Sequence, residues 1–167
     1  MTEPEVWLRG ALPDYLDELQ PVAHSLLQVR EEVGRLASLT PAQLWARPGG
    51  AASIGFHLKH LAGSLDRLLT YASGQALTSA QASDLTSEEH ESHEFSGTLV
   101  ERAQAAIDRA LAHVKTTPLC TLDEAREVGR GRLPSTVLGL LFHAAEHAQR
   151  HSAQIITTAK IIGASGE

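Results

Sequence analysis

Four long segments of the chain carry apolar residues at intervals of three and four, and this spacing constrains the fold more than any other feature. Such intervals place apolar side chains on one face of an α-helix. The pattern predicts long helices over about 21–38 and 52–73, a third from Thr98 to a stop at Pro118, and a fourth from Pro134 onward. It predicts no pair of strands. The fold class expected is all-α, a four-helix bundle.

The connection between the second and third long helices is the longest one, residues 75–97. It is polar, has no sustained period, and is long for a compact domain, so it can cross from one end of a bundle to the other. A short helical turn carrying Trp45 is predicted after Thr40, from its capping-box spacing. Residues 119–133 hold too few apolar residues for a core helix and leave room for a brief extended stretch.

Length and charge bound the function classes. With 167 residues, the chain is expected to form one domain, 1–167. A net charge of −6 without a local basic cluster argues against nucleic acid as a partner. The acidic first residues do not resemble a signal peptide, and no apolar run is long enough to span a bilayer. Cys120 is the one cysteine, so no internal disulfide can form. A cytoplasmic protein without a membrane partner is expected.

Nine histidines are the compositional oddity, and three of them lie in the stretch HAAEHAQRH, residues 143–151. Residues four apart on a helix are displaced by roughly 40° and 6 Å, so two such rings can bind one metal ion. His143 and His151 lie about 12 Å apart along the axis, too far to share an ion whose bonds to nitrogen are near 2 Å. Relative to the apolar stripe, His147 and His151 point inward and His143 lies at its edge, which favours the pair His147 and His151.

A catalytic ion usually has three protein ligands and an open position, so a third histidine is expected from another helix. The second long helix offers His57 and His60, and helical phase slightly favours His57. Histidine pairs four apart also arise by chance, which leaves a metal-free bundle open. The segment 88–94, EEHESHE, contains ligand residue types but is better interpreted as a solvated acidic loop. His24 and His113 are single residues that need no function.

Two stretches together resemble a known family. They are WARPGGAASIGFHLKHLAGSLDRLLTY (45–71) and LPSTVLGLLFHAAEHAQRHSAQI (133–155), and they resemble the DinB-like and YfiT-like metalloenzyme superfamily. The resemblance implies an up-down-down-up four-helix bundle, usually dimeric, with three histidines on a divalent metal, commonly nickel or zinc. Position by position, the implied ligands are His60, His147 and His151. The family motif therefore places the third ligand at His60, whereas the helical phase slightly favours His57. Gly63 departs from the family, since many relatives have Asp there, and a carboxylate helper at that position is absent.

Relatives in this superfamily include S-transferases and isomerases that act with low-molecular-weight bacterial thiols. The resemblance therefore implies a small-molecule substrate and an ion that activates such a thiol or water, as a transferase or a hydrolase. The alternative is a non-catalytic metal-binding stress or interaction protein, which a fourth ligand such as His57 would favour. Gln154 could orient a ligand or water, or simply pack, and Cys120 is not expected to be a nucleophile. Phe142 and Ile156, off the main apolar stripe, are compatible with a homodimer.

Overall fold

A computed structural model of the chain describes residues 3–36 and 38–163. Its helices and strands, in chain order, are α1 (Gln20–Gly34), α2 (Pro41–Leu44), α3 (Ile54–Ala72), α4 (Ser79–Ser87), α5 (Ser96–Thr116), β1 (Ala125–Val128), β2 (Leu133–Thr136) and α6 (Val137–Ile161). The chain is therefore mostly helical, as predicted. Over the two described ranges, no helix has both the length and the apolarity that crossing a bilayer would require.

The four long helices α1, α3, α5 and α6 form the bundle and enclose its core. α3 packs against α5 and α6, and α1 packs against the same two helices. The apolar stripes that the sequence pattern defines face inward. The side chains at the centre include Leu26 and Val29 of α1, Leu58, Leu61 and Leu65 of α3, Ala103, Ile107 and Ala110 of α5, and Leu141, Ala144, Ala148 and Ile155 of α6. Because α3 and α6 are neighbours, side chains on their shared face can meet.

The ends of the first two long helices differ from the predicted bounds for local reasons. α3 begins at Ile54 because the Ser53 side chain accepts a hydrogen bond from the backbone N–H of Phe56. α1 ends at Gly34 rather than residue 38, since the N–H groups of Arg35 and Leu36 bond to carbonyls only three residues back, which closes the helix. The predicted end also includes residue 37, which lies outside the described residues.

The prediction of no paired strands is wrong over residues 125–136. β1 and β2 form an antiparallel hairpin in which Ala125 pairs with Thr136 and Val128 with Leu133. α6 accordingly begins at Val137 and not at Pro134, because Pro134 is part of β2. The Thr136 side chain caps α6 by accepting from the N–H of Gly139. A four-residue strand pair is too short to give a pattern that distinguishes it from a loop.

The connection 75–97 is not structureless, since it contains α4. The helix begins after Thr78, which forms a capping box with Gln81. Within α4 no residue is buried, and this explains the missing apolar period. Polar side chains attach it to α3 instead, with the Gln81 amide donating to the Asp66 carboxylate and the Thr70 hydroxyl. The connection therefore places a small helix beside α3.

Candidate metal centre

His60, His147 and His151 come together where α3 packs against α6. His60 lies on α3, and the other two lie one turn apart on α6. Each ring offers one nitrogen, and these nitrogens all lie within 4.8 Å of one another. The ring centroids are 4.5 Å apart for His147 and His151, 4.7 Å for His60 and His151, and 5.2 Å for His60 and His147. The structure thus brings together the three histidines that the motif register selects.

The closest contact in this cluster joins the Nε2 atoms of His60 and His147, which are 3.0 Å apart. Two lone pairs facing each other at this distance would repel, so one proton or one cation must lie between them. In the metal-free protein this proton belongs to His147, because the hydrogen of His60 is on its Nδ1 atom, which donates to the Glu88 carboxylate. The Nδ1 atom of His147 accepts from the Arg150 guanidinium at 3.3 Å, which is consistent with this tautomer.

The cluster has the dimensions of a metal site. A divalent ion with bonds of about 2.1 Å holds its nitrogen ligands roughly 3–4 Å apart, which matches three nitrogens within 4.8 Å of one another. All three histidines are partly exposed, so the cluster is not sealed from solvent. Three imidazoles suit zinc and nickel, among other transition metals. The residues present therefore fit a divalent ion with three protein nitrogen ligands.

His57, which helical phase slightly favoured as the third ligand, lies beside the cluster. Its ring is almost fully buried, and its Nδ1 atom is 2.9 Å from the Nδ1 atom of His151. Among the described residues, the group of converging ligand atoms comprises His60, His147 and His151 without it. If His151 donates in this contact, its Nε2 atom keeps a lone pair for an ion. His57 is then a hydrogen-bond acceptor that orients a neighbouring ring.

Burial lowers the pKa values of three of these histidines. It is the main cause for His57 and His147, whose pKa values fall from 6.5 to about 4, and for His151, whose pKa falls to about 3. The positive charge that neighbouring rings would carry if protonated lowers the values further. All three rings are therefore neutral at pH 7. Neutral imidazole is the form that binds metal ions.

Glu88 is a site residue that the sequence interpretation missed. The segment 88–94 was expected to be a solvated loop, and this is wrong for Glu88, which is 4% exposed. Its carboxylate accepts from the Nδ1 atom of His60 at 2.7 Å and from the Arg67 guanidinium at 2.6 Å. Burial would raise the pKa of Glu88, but these hydrogen bonds and the Arg67 charge outweigh it and lower that pKa. The connection thus brings a carboxylate to His60.

The remaining candidates lie outside the cluster. His143 is exposed and contacts the Glu146 carboxylate at 3.3 Å; its ring lies 5.3 Å from that of His147, but among the described residues it is not in the group with converging nitrogens. Gln154 is also exposed and lines a groove of about 440 Å³, which His57 lines as well. Cys120 is exposed, in a 3₁₀ turn after α5. His24 lies on α1 and contacts the backbone carbonyl of Gly10; the converging group found among the described residues does not include it.

Comparisons with known proteins give the family and the fold. The family model described as DinB superfamily matches residues 25–155, which include all three clustered histidines.

The chain belongs to the DinB superfamily.

Among solved structures, this DinB-superfamily chain is similar to YfiT from Bacillus subtilis, described as a probable metal-dependent hydrolase with an unusual four-helix bundle topology. The two chains are 15% identical, with a TM-score of 0.65 over 92% of this chain and 94% of that one. This likeness shows a shared fold. No curated protein matches the chain in sequence.

Proposed function

We propose that the chain is a metal-dependent hydrolase whose divalent ion is held by His60, His147 and His151. The observation that carries the proposal is the 3.0 Å approach of two Nε2 atoms from different helices, with a third histidine nitrogen within 4.8 Å of both. Such an ion supplies Lewis acidity, which makes water or a thiol nucleophilic near neutral pH. Zinc or nickel is the ion expected, as the family resemblance implies.

The residues of the chain favour a catalytic over a purely structural ion. In the described part of the chain three nitrogens converge, and structural zinc sites usually have four protein ligands. The side chain of His57, the residue most able to close such a site, contacts His151 instead. The three histidines are partly exposed, as access for a substrate requires. Hydrolysis is further supported by the description of YfiT, a protein of the same fold.

Metal content is the first test of the proposal. We expect about one divalent ion per chain in protein purified without a histidine tag, and little in the His60→Ala and His147→Ala variants, since each loses one of three ligands. His143→Ala is the matched control, because it removes an exposed histidine from the same helix. Elemental analysis measures all four proteins. Equal metal content in the four proteins would refute the assignment of the ligands.

Activity is the second test, and it separates hydrolysis from thiol transfer. Wild-type protein is offered ester, amide and phosphoester substrates, and separately electrophiles with small thiols. We expect hydrolysis that chelation lowers more than about 100-fold and that added zinc or nickel restores. Turnover only in the presence of a thiol would replace the hydrolase by the S-transferase or isomerase that the family resemblance implies. A bound ion without any turnover would support the non-catalytic alternative. The homodimer implied by the resemblance stays a prediction.

A further inference from the structure

Glu88 is held in place on both sides along the chain. It follows the last residue of α4, and its N–H bonds to the carbonyl of Asp84. The Lys59 ammonium group of α3 donates to the carbonyl of Ser87 at 2.6 Å and to that of His90 at 2.8 Å. These two bonds lie on either side of Glu88, so the backbone there is fixed against α3. A carboxylate at the end of a polar surface helix is thereby turned into the interior.

The contacts of the Glu88 carboxylate determine which nitrogen of His60 carries the hydrogen. An ionised carboxylate can only accept, so the Nδ1 atom of His60, 2.7 Å away, must donate. The Nε2 atom of His60 then keeps its lone pair, and this atom faces His147. Arg67 binds the carboxylate through both terminal nitrogens, which offsets the cost of burying the charge. The ring of His60 also stacks on Phe56, with centroids 5.4 Å apart.

The carboxylate fits because Gly63 has no side chain. A Cβ atom built on Gly63 would lie 2.1 Å from Oε1 of Glu88 and 2.7 Å from Nη1 of Arg67, far below contact distance. Gly63 lies three residues after His60 and four before Arg67, so all three share one face of α3. The space beside His60 that a side chain at position 63 would fill is thus occupied by the carboxylate of Glu88, the residue after α4.

We propose that Glu88 is the positioning residue for His60, fixing its ring and tautomer so that Nε2 is presented to an ion, and that Gly63 provides the space for it. The proposal rests on the proposed metal site and adds a residue to it. In metal sites, a carboxylate that accepts from the second ring nitrogen orients the ligand and makes it more basic, and its loss commonly lowers metal affinity 10–100-fold.

Glu88→Gln is the direct test, because it keeps the size of the side chain and removes one acceptor. The single amide oxygen is expected to stay where Arg67 donates, because a guanidinium can only donate whereas a neutral imidazole can also accept, and the amide nitrogen then faces His60 and donates to Nδ1. We expect the metal-free variant to switch His60 from the Nδ1–H to the Nε2–H tautomer, read by nitrogen-15 NMR of the imidazole rings. We expect zinc and nickel affinity to fall roughly 10–100-fold in competition titrations.

Gly63→Ala tests the same arrangement without changing any polar group. The added methyl displaces the Glu88 carboxylate, so a loss of metal affinity in the same range and the same change of tautomer are expected. Gly97→Ala is the matched control, since it makes the same change in a helix where a Cβ meets no atom within 4 Å. In a Glu88→Ala background, Gly63→Ala should have little further effect on affinity, because the carboxylate it displaces is absent and the other close atom is the end of the flexible Arg67 side chain.

The outcomes separate this inference from the proposed function. Wild-type protein that binds neither zinc nor nickel overturns the metal site itself. Metal binding by wild type with unchanged affinity and unchanged tautomer in both Glu88→Gln and Gly63→Ala overturns the positioning role alone. Chemical unfolding of each variant is measured alongside, and the tautomer is read only under conditions where the variant is folded. A general loss of stability would lower affinity without switching the tautomer, which would also count against the proposal.

Discussion

At the scale of single residues, the histidines of this chain differ by burial and partner, although they are chemically identical. His57 is almost fully buried and contacts another ring, whereas His143, also on a bundle helix, is exposed and contacts a carboxylate. Burial disfavours the charged imidazolium, which is why the pKa of His57 falls to about 4. The same residue type is therefore a neutral interior group at one position and a surface group at the other.

This difference predicts how the stability of the metal-free protein depends on pH. The pKa of His57 is lower in the folded state, so the unfolded chain binds more protons between pH 6.5 and about 4. The unfolding free energy therefore keeps its full value above pH 6.5 and decreases as the pH falls toward 4. We expect His57→Gln to reduce the pH dependence of the unfolding free energy by up to about 1.4 kcal/mol per pH unit in this range. Denaturant titrations of chelated protein at several pH values measure the unfolding free energy, with His143→Gln as control. If this free energy changed with pH equally in wild type and His57→Gln, the prediction would be contradicted.

The sequence predicted part of the site and missed part of it, for physical reasons. The four-residue spacing of His147 and His151 is a property of one helix, so it can be recognised locally. The place of His60 depended on motif register, because phase along α3 does not fix how the helix is rotated against α6. Glu88 depends on a contact across 28 residues, which no local pattern encodes. Arg67 gave no sequence signal either, since at 100° per residue it lies about 220° around α3 from Ile54, on the polar side, and it is buried only because Glu88 and the connection cover it.

At the scale of secondary structure, α4 differs from the bundle helices in how it is held. It buries none of its own residues and is attached to α3 through the side chains of Gln81 and Lys59 and through Glu88 at its end. Helices are recognised from sequence by the apolar stripe that packing requires, and a helix docked by polar contacts has no such stripe. The long helices were therefore predictable to within a few residues, whereas α4 was not.

Thr78→Ala tests how independently α4 is held. Losing this cap costs about 1 kcal/mol, all of it within α4, because the helix adds no buried residue to the core. We expect amide hydrogen exchange in α4 to be about fivefold faster, while the amides of the α1 interior and the global unfolding midpoint barely change. Thr86→Ala, in the same helix but away from the cap, is the control and should not accelerate exchange. A matching loss of global stability would show instead that α4 unfolds only with the bundle.

At the scale of the whole molecule, the proposed ion connects two helices that are far apart in the chain. His60 is separated from His147 by 87 residues, yet α3 and α6 pack directly against each other. A ligand that binds the folded chain and not the unfolded one stabilises the fold by mass action. The periodicity that predicts a bundle predicts neither this pairing of α3 with α6 nor the short hairpin before α6, because both depend on contacts between distant segments.

Metal addition should therefore raise the melting temperature. An ion at about 100 times its dissociation constant adds about 2.7 kcal/mol, which corresponds to roughly 5–10 °C for a chain of this length. We expect this shift with zinc or nickel for wild type and His143→Ala, and none for His147→Ala. Differential scanning calorimetry of chelated and metal-loaded protein measures it. A shift of the same size in His147→Ala would place the stabilising ion elsewhere on the chain.

The polar attachment of α4 also makes the docking of this helix sensitive to an ion at the histidine cluster. Coupling between two binding events is reciprocal, so any factor by which docked Glu88 strengthens the binding of an ion is also the factor by which the ion strengthens the docking of α4. Since no apolar side chain of α4 is buried, this contribution adds to a helix that is otherwise held by polar contacts alone. Binding of an ion at the histidine cluster would then increase the fraction of time that α4 spends docked on the bundle.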